Sequence, residues 1–312
     1  MTLRLGYLLP TREAVMAGQP EARPLLELAE HAERLGLDSI WIGDSLLARP
    51  RHDPLTLLAA VAARTARCEI GTAVLLPVLR NPVVLAHQVA TIDQVAQGRL
   101  ILGVGIARDV PSIRAEFTAA GVPFEGRVGR MLEGLRLCRA LWSGKVVDWD
   151  GRWPVKAGVL GPVPHRAGGP PIWLAGSLPA SLDRIAREFD GWMPNDGDAA
   201  EWGQRWADLK ARTKTAGRDP AVLTGSVYLT VAVDEDAARA DARLNAYLEQ
   251  YYDAPAAVMR RRQVCYAGPI AGLTEWLQGY ATAGAQHLIV RCAGDHERHL
   301  GILAALKAKL MS

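Results

Sequence analysis

Ala175-Gly176-Ser177-Leu178-Pro179 carries the most specific chemical signal in the chain. An apolar run empties into a small-residue turn, and Pro179 suits the first turn of a helix. Unpaired N–H groups at such a start, with the Ser177 hydroxyl, can cradle a phosphate, and Gly176 lets a ligand approach the backbone closely. A tight turn needs a glycine in any case, so the run by itself also fits a plain connection. Other chemistry-bearing residues are Asp44, Ser45 and His52 in one short stretch, Arg108 beside Asp109, Asn195 beside Asp196, and Arg291 after an apolar run. No Ser-His-Asp set stands at a family spacing, and no three ligands cluster as a catalytic zinc requires, so no metal is expected. His296-x-x-His299 would place two imidazoles on one helical face, which is read here as a solvated face.

A scaffold must bring these residues together. Residues 3–9 are short, apolar and stopped by Pro10, as a buried parallel strand would be. A helix follows with Leu25, Leu28, Ala29, Ala32 and Leu35 on one face, and Gly36 ends it. The cycle repeats, with strands at 39–43, 69–75, 100–104, 171–175, 191–193, 223–233 and 287–291, and helix starts at Asp53-Pro54 and Asn81-Pro82. Eight alternations predict an α/β fold, a (β/α)8 TIM barrel occupying residues 1–312 as a single domain. In such barrels chemistry sits at the C-terminal strand ends, which places Asp44-Ser45, Ala73-Val74, Gly105, Gly176-Ser177, Asn195 and Arg291 at one mouth. Two stretches break the rhythm: 145–170, with a hairpin around Asp150-Gly151, and 246–265, rich in tyrosine and arginine. Both are expected as insertions on the C-terminal face.

Composition narrows the partners. The chain has 36 basic and 33 acidic side chains, a surplus too small for a nucleic-acid surface or a polybasic membrane patch. Its longest apolar run, 70–79, is interrupted by Thr72 and Pro77 and is too short to span a bilayer. Residues 1–10 run straight into a strand pattern without a signal-peptide shape. Cys68, Cys138, Cys265 and Cys292 are scattered, which fits buried thiols in a cytoplasmic protein better than a disulfide framework.

Longer runs carry a resemblance. "LGLDSIWIGDS" (35–45), "DPLTLLAAVAARTARCEIGTAVLLPVLRNPVVLAHQVATIDQVAQGRLILGVGIA" (53–107), "VPFEGRVGRMLEGLRLCRALWSG" (122–144), "PIWLAGS" (171–177) and "GYATAGAQHLIVRCAG" (279–294) resemble the bacterial luciferase-like monooxygenase family, FMN- or deazaflavin-dependent oxidoreductases. The resemblance implies a barrel that binds reduced FMN or a deazaflavin (coenzyme F420) at its mouth, as a homodimer or larger homo-oligomer. It implies a ring against strand three, where many members have a non-proline cis peptide and this chain has Ala73-Val74. It also implies a cofactor phosphate on Gly176-Ser177, with Ala175, Gly105 and Arg108 completing the cofactor contacts. Arg298 matches a position where deazaflavin sugar-phosphate dehydrogenases meet an anionic substrate, and Asn195 joins it as a substrate contact.

Departures from the family pattern shape the functional expectation. Relatives carry histidine after the aspartate of strand two, where this chain has Ser45, and a hydroxyl cannot replace imidazole in proton transfer near neutral pH. His52 is the leading replacement, with Asp44 as the other titratable group of that loop. Arg108 is either a cofactor anchor or the partner of Asp109. The first expectation is a reduced-FMN monooxygenase acting on a small organic substrate and served by a separate flavin reductase. The alternative is a deazaflavin-dependent hydride-transfer enzyme, with Arg80, Arg108, Lys156 and Arg166 available to a polyanionic tail. A flavin-binding barrel without turnover is the third reading.

Overall fold

Proline and short polar caps mark where helices begin, and the strands fall between them. In the computed structural model, which describes residues 3–310, β1 (Arg4–Leu8) leads to α1 (Thr11–Met16), α2 (Arg23–Arg34) and β2 (Ser39–Ile42). Asp53 caps α3 (Pro54–Arg64) by accepting the Thr56 N–H at 2.8 Å. After β3 (Glu69–Leu75), Asn81 caps α4 (Pro82–Val95) in the same manner, and β4 (Leu100–Val104) follows. The chain continues through α5 (Pro111–Ala119) and α6 (Arg127–Trp142) to a small antiparallel hairpin, β5 (Val147–Trp149) and β6 (Val155–Gly158). Then come β7 (Ile172–Leu174), α7 (Pro179–Glu188), β8 (Gly191–Trp192) and α8 (Ala199–Thr215). The last part holds β9 (Thr224–Val233), α9 (Ala237–Tyr252), α10 (Ala256–Arg260), β10 (Val264–Gly268), α11 (Ile270–Thr282), β11 (His287–Cys292) and α12 (His296–Leu310).

Eight strands close the barrel in the order β1, β2, β3, β4, β7, β8, β9, β11, with β11 returning to β1 and every wall pairing parallel. All C-terminal strand ends therefore open at one mouth. β10 is a ninth strand that the sequence reading did not contain. β8 pairs only with Thr224 and Gly225 of β9, and β10 pairs with Leu229 through Val233 on the upper part of β9. Pro194 and Asn195 bridge the step, their carbonyls accepting the N–H groups of Tyr228 and Val264.

Alternation along each strand divides the apolar residues into two cores. One row faces the helices, as with Leu5, Ile40, Ile70 and Leu102, and the other fills the barrel with Leu8, Trp41, Ala73, Ile101, Trp173, Met193 and Ile289. Trp41 and Trp173 lie 5.4 Å apart, and His287 meets both edge-on. Room for the two indoles comes from missing side chains: a Cβ on Gly71 or Gly191 would fall within 2.5 Å of an indole carbon. Truncating either indole would cost about 3–5 kcal/mol. Burial, with Arg4 adding to it, pushes the His287 imidazole down to about 3, so this layer is uncharged at neutral pH.

The two insertions need correction. The first connects α6 to β7, so it leaves from and returns to the N-terminal end, where Arg166 donates to the Gly98 carbonyl at 2.7 Å. Only its hairpin climbs the outer wall, with Trp153 packed beside Gly134 and Pro82. The second lies at the mouth but is narrower than expected, because residues 246–252 belong to α9. Cys68, Cys138 and Cys292 are buried, and Cys265 is partly so. Among the described residues, no helix is long and apolar enough to cross a membrane.

Candidate active site

The Ala73–Val74 peptide is cis, and it interrupts the β3–β4 register between Thr72 and Leu75. Val74 turns its side chain toward Gly105 at the end of β4. A Cβ on Gly105 would stand 2.6 Å from Val74 Cγ2, so only glycine leaves room for this arrangement. Asp44, at the end of β2, secures the loop that follows. Its carboxylate, 1% exposed, accepts the Leu76 N–H at 2.9 Å and both terminal nitrogens of Arg80, at 2.6 and 3.2 Å. Arg80 also reaches Asp53 at 3.0 Å. Asp44 is thus a positioning residue, and Arg80 is committed to it instead of standing free for a cofactor tail.

The Gly176-Ser177 turn lies at the mouth after β7, as expected. Gly176 has φ +110°, which a side chain would strain, and its carbonyl accepts the Trp192 indole N–H at 2.9 Å. α7 begins without a side-chain cap. The Ser177 hydroxyl, however, donates to the Asp196 carboxylate, so it is already engaged, and Arg205 lies 3.6 Å from that carboxylate. Ala175 is tied into the wall through its N–H to the Val104 carbonyl at 2.9 Å, and Asn195 is partly buried at the end of β8.

Several expected residues serve other purposes. The Ser45 hydroxyl donates to Glu116 of α5 at 3.0 Å and accepts the Arg49 N–H at 2.9 Å, while the Leu46 and Leu47 N–H groups donate to the same Glu116 oxygen. Glu116, 1% exposed, therefore organises the loop, and Ser45 is part of its anchorage. His52 does not turn toward the barrel axis. Its Nε2 donates to the Pro20 carbonyl at 2.8 Å and its Nδ1 faces the Thr11 carbonyl at 3.4 Å, so the ring ties two loops together. Arg298 is exposed and donates to the Val233 carbonyl at 2.7 Å, at the rim. The solvated reading of His296 and His299 fails: His299 is buried, accepting the Val233 N–H at Nε2 and donating from Nδ1 to Asp295, and His296 meets the Tyr7 hydroxyl at 2.8 Å. Asp109 pairs with Arg114, not with Arg108, which is exposed and in no ion pair among the described residues.

The centre of the mouth joins Arg291 and the tyrosines of the 246–265 stretch, which the sequence placed there, with Arg12, Arg49, Arg51 and Tyr228, which it did not single out. Tyr247, Tyr251 and Tyr252 on the last turns of α9 lean over the barrel, and Tyr228 of β9 packs on its inner core. Four arginines surround these rings: Arg12, Arg51 and Arg291 approach Tyr251 at 5.1, 5.8 and 4.7 Å, and Arg49 lies 4.9 Å from Tyr252. None of the four is in a salt bridge among the described residues. Tyrosines at i, i+4 and i+5 were a signal that one helical face carries the cluster, but nothing in the local pattern of Arg51 pointed inward. Among the described residues, no three potential metal ligands gather.

A family model described as luciferase-like monooxygenase matches residues 3–300. The chain is 30% identical to an F420-dependent glucose-6-phosphate dehydrogenase of Rhodococcus erythropolis, across 95% of this chain and 94% of that one. Among solved structures, an F420-dependent secondary alcohol dehydrogenase superposes with a TM-score of 0.83 at 19% identity, covering 98% of both chains. A monooxygenase of Streptomyces bottropensis superposes with a TM-score of 0.79 at 23% identity over the same share of both. At those identities the two superpositions speak for the fold alone.

Proposed function

Since the chain belongs to the luciferase-like monooxygenase family, we propose that it is a deazaflavin-dependent oxidoreductase that moves a hydride between coenzyme F420 and a small organic substrate. The observation that carries this reading is a surplus positive charge at the rim, where Arg108 follows β4, is exposed and is in no ion pair among the described residues. A polyanionic cofactor tail matches that surplus better than the single phosphate of FMN does. The F420-dependent relative of Rhodococcus erythropolis supports the same choice, so the reduced-FMN monooxygenase expected first becomes the weaker reading.

The residues present fit such a cofactor. Val74 and Gly105 make a shallow wall that a Cβ would fill, and Gly176 opens the backbone beside an uncapped helix start. Val74, Ala73 and Gly105 would take the ring, while Gly176 and Arg108 would take the phosphate and tail. Bound there, the cofactor would supply the hydride chemistry. Asp44 would keep the ring wall in place through Leu76 and Arg80. The Tyr228 hydroxyl makes no hydrogen bond among the described residues, and burial pushes it above its ordinary value. It therefore stays protonated and is placed to donate a hydrogen bond to a substrate oxygen.

Titrating the purified protein with F420 and separately with reduced FMN, following fluorescence, tests the proposal. F420 should bind at least about tenfold more tightly. Tighter binding of reduced FMN would overturn the cofactor assignment.

A further inference from the structure

Arg291 is the last inward-facing residue of β11, one layer above Ile289, and it is 1% exposed. A guanidinium so deeply buried ordinarily finds a carboxylate, because the unpaired charge is expensive to remove from water. Here every partner is neutral. Nε and Nη2 donate to Thr230 Oγ1 at 3.2 and 2.7 Å, Nη2 also to Gln263 Oε1 at 2.5 Å, and Nη1 to the Tyr252 hydroxyl at 2.7 Å. Arg51 repeats the pattern from the loop after β2. Its Nε donates to the Arg49 carbonyl, and its Nη1 occupies the space that a Cβ on Gly43 would take, beside the Ala73 carbonyl. The nearby Glu13 carboxylate is engaged by the Tyr247 hydroxyl.

A second observation points the same way. The cluster contains buried donors without acceptors, Gln263 Nε2 beside Arg291 and Arg12 Nη1 beside Tyr251. Buried donors are almost always satisfied, so a set of them around uncompensated positive charge is a site lacking its acceptor. Arg291 stands apart from the cofactor wall, since β11 is three strands from β3 in one direction and three from β7 in the other, while Arg51 reaches the edge of that wall beside the Ala73 carbonyl. A group held by Arg291 would face Val74 across the mouth.

We infer that Arg291 and Arg51, walled by Tyr228, Tyr251 and Tyr252, form the subsite for an acid group on the substrate, a carboxylate or a phosphate. The word substrate rests on the oxidoreductase reading, but the anion site itself does not. Two guanidiniums supply the charge, Gln263 Nε2 supplies a further donor, and the tyrosine faces confine the ligand. The acid would anchor one end of the molecule and leave its reacting carbon toward the β3 side.

Calorimetric titration of the full chain with inorganic phosphate and with acetate, at constant pH and ionic strength, tests this. At least one anion should bind the wild type, and whichever binds more tightly identifies the acid. Arg291→Met and Arg51→Met should each weaken that binding by roughly thirtyfold or more, while the exposed Arg187→Met on α7 should not. Circular dichroism checks folding, and Arg51→Met, a change at a partly exposed residue, decides the matter if Arg291→Met does not fold. Binding should persist in protein saturated with F420. No heat from either anion, undiminished binding in Arg51→Met, or displacement of the anion by F420 would overturn the subsite; displacement would reassign the arginines to the cofactor tail. If the anion binds but F420 does not, the subsite stands and the proposed cofactor falls.

Discussion

Replacing Gly105 with alanine tests the ring wall directly. The new methyl would lie 2.6 Å from Val74 Cγ2, against an optimal carbon separation of about 3.5–4.0 Å, so roughly 1 Å of overlap must be relieved. Val74 has little freedom to yield, since a β-branched side chain is stiff at χ1. Overpacking of this kind costs about 1–3 kcal/mol. The companion change Val74→Ala removes Cγ2 and leaves Val74 Cβ at 3.5 Å from the added methyl, an ordinary contact. The pair should therefore be non-additive: Gly105→Ala destabilises, Val74→Ala costs little, and the double variant recovers about 1–2 kcal/mol relative to the sum. Urea unfolding gives the stabilities, and F420 fluorescence titration shows whether affinity follows. Additivity within about 0.5 kcal/mol would mean that Val74 does not lean on Gly105, and the wall described above would be wrong.

Three further outcomes are expected. Asp44→Asn should lower unfolding free energy by about 2–3 kcal/mol, less than a buried pair usually loses because Arg80 keeps Asp53; a loss below about 1 kcal/mol in urea would contradict the positioning role. His52→Ala should lower the thermal midpoint by about 2 °C through lost loop contacts and leave F420 affinity within about twofold. A roughly hundredfold loss of turnover with unchanged unfolding would instead return the imidazole to proton transfer. Stability should decline as pH falls from about 6.5 toward about 3, because the unfolded chain protonates His287 where the folded barrel does not, at up to about 1.4 kcal/mol per pH unit. His287→Gln should flatten that decline between pH 7 and 5 in urea titrations, and equal slopes in both proteins would exclude His287 as its source.

The barrel was legible because each wall strand is an apolar run ended by glycine, proline or a polar residue, and because Asp53-Pro54 and Asn81-Pro82 state their caps outright. The mouth was legible only as a list of strand ends. β10 escaped notice because its apolar run, Val264 to Ala267, is only four residues long and begins inside the stretch read as an insertion, and its partner strand was already assigned two neighbours. His52 misled because proximity in sequence to Asp44 says nothing about which way a loop residue turns. Arg291 was visible at a strand end, yet its lack of a carboxylate depends on β9, α9 and the segment before β10 meeting β11 in space. Ser45 reads as a lost imidazole in the sequence, and its bond to Glu116, 71 residues away, explains why a hydroxyl suits that place.

The step in the β9 wall has a consequence for how the chain is made. Residues 226–233, SVYLTVAV, are uncharged, proline-free and rich in β-formers, the composition of an aggregation-prone segment. β8 shields only the foot of that strand, and its upper flank waits for β10. At synthesis rates of about 5–20 residues per second, some 2–7 s separate the end of β9 from the end of β10, and throughout that interval the flank is an open edge. A chain truncated before Val264 would keep the edge permanently and should self-associate through it rather than settle as a shorter barrel.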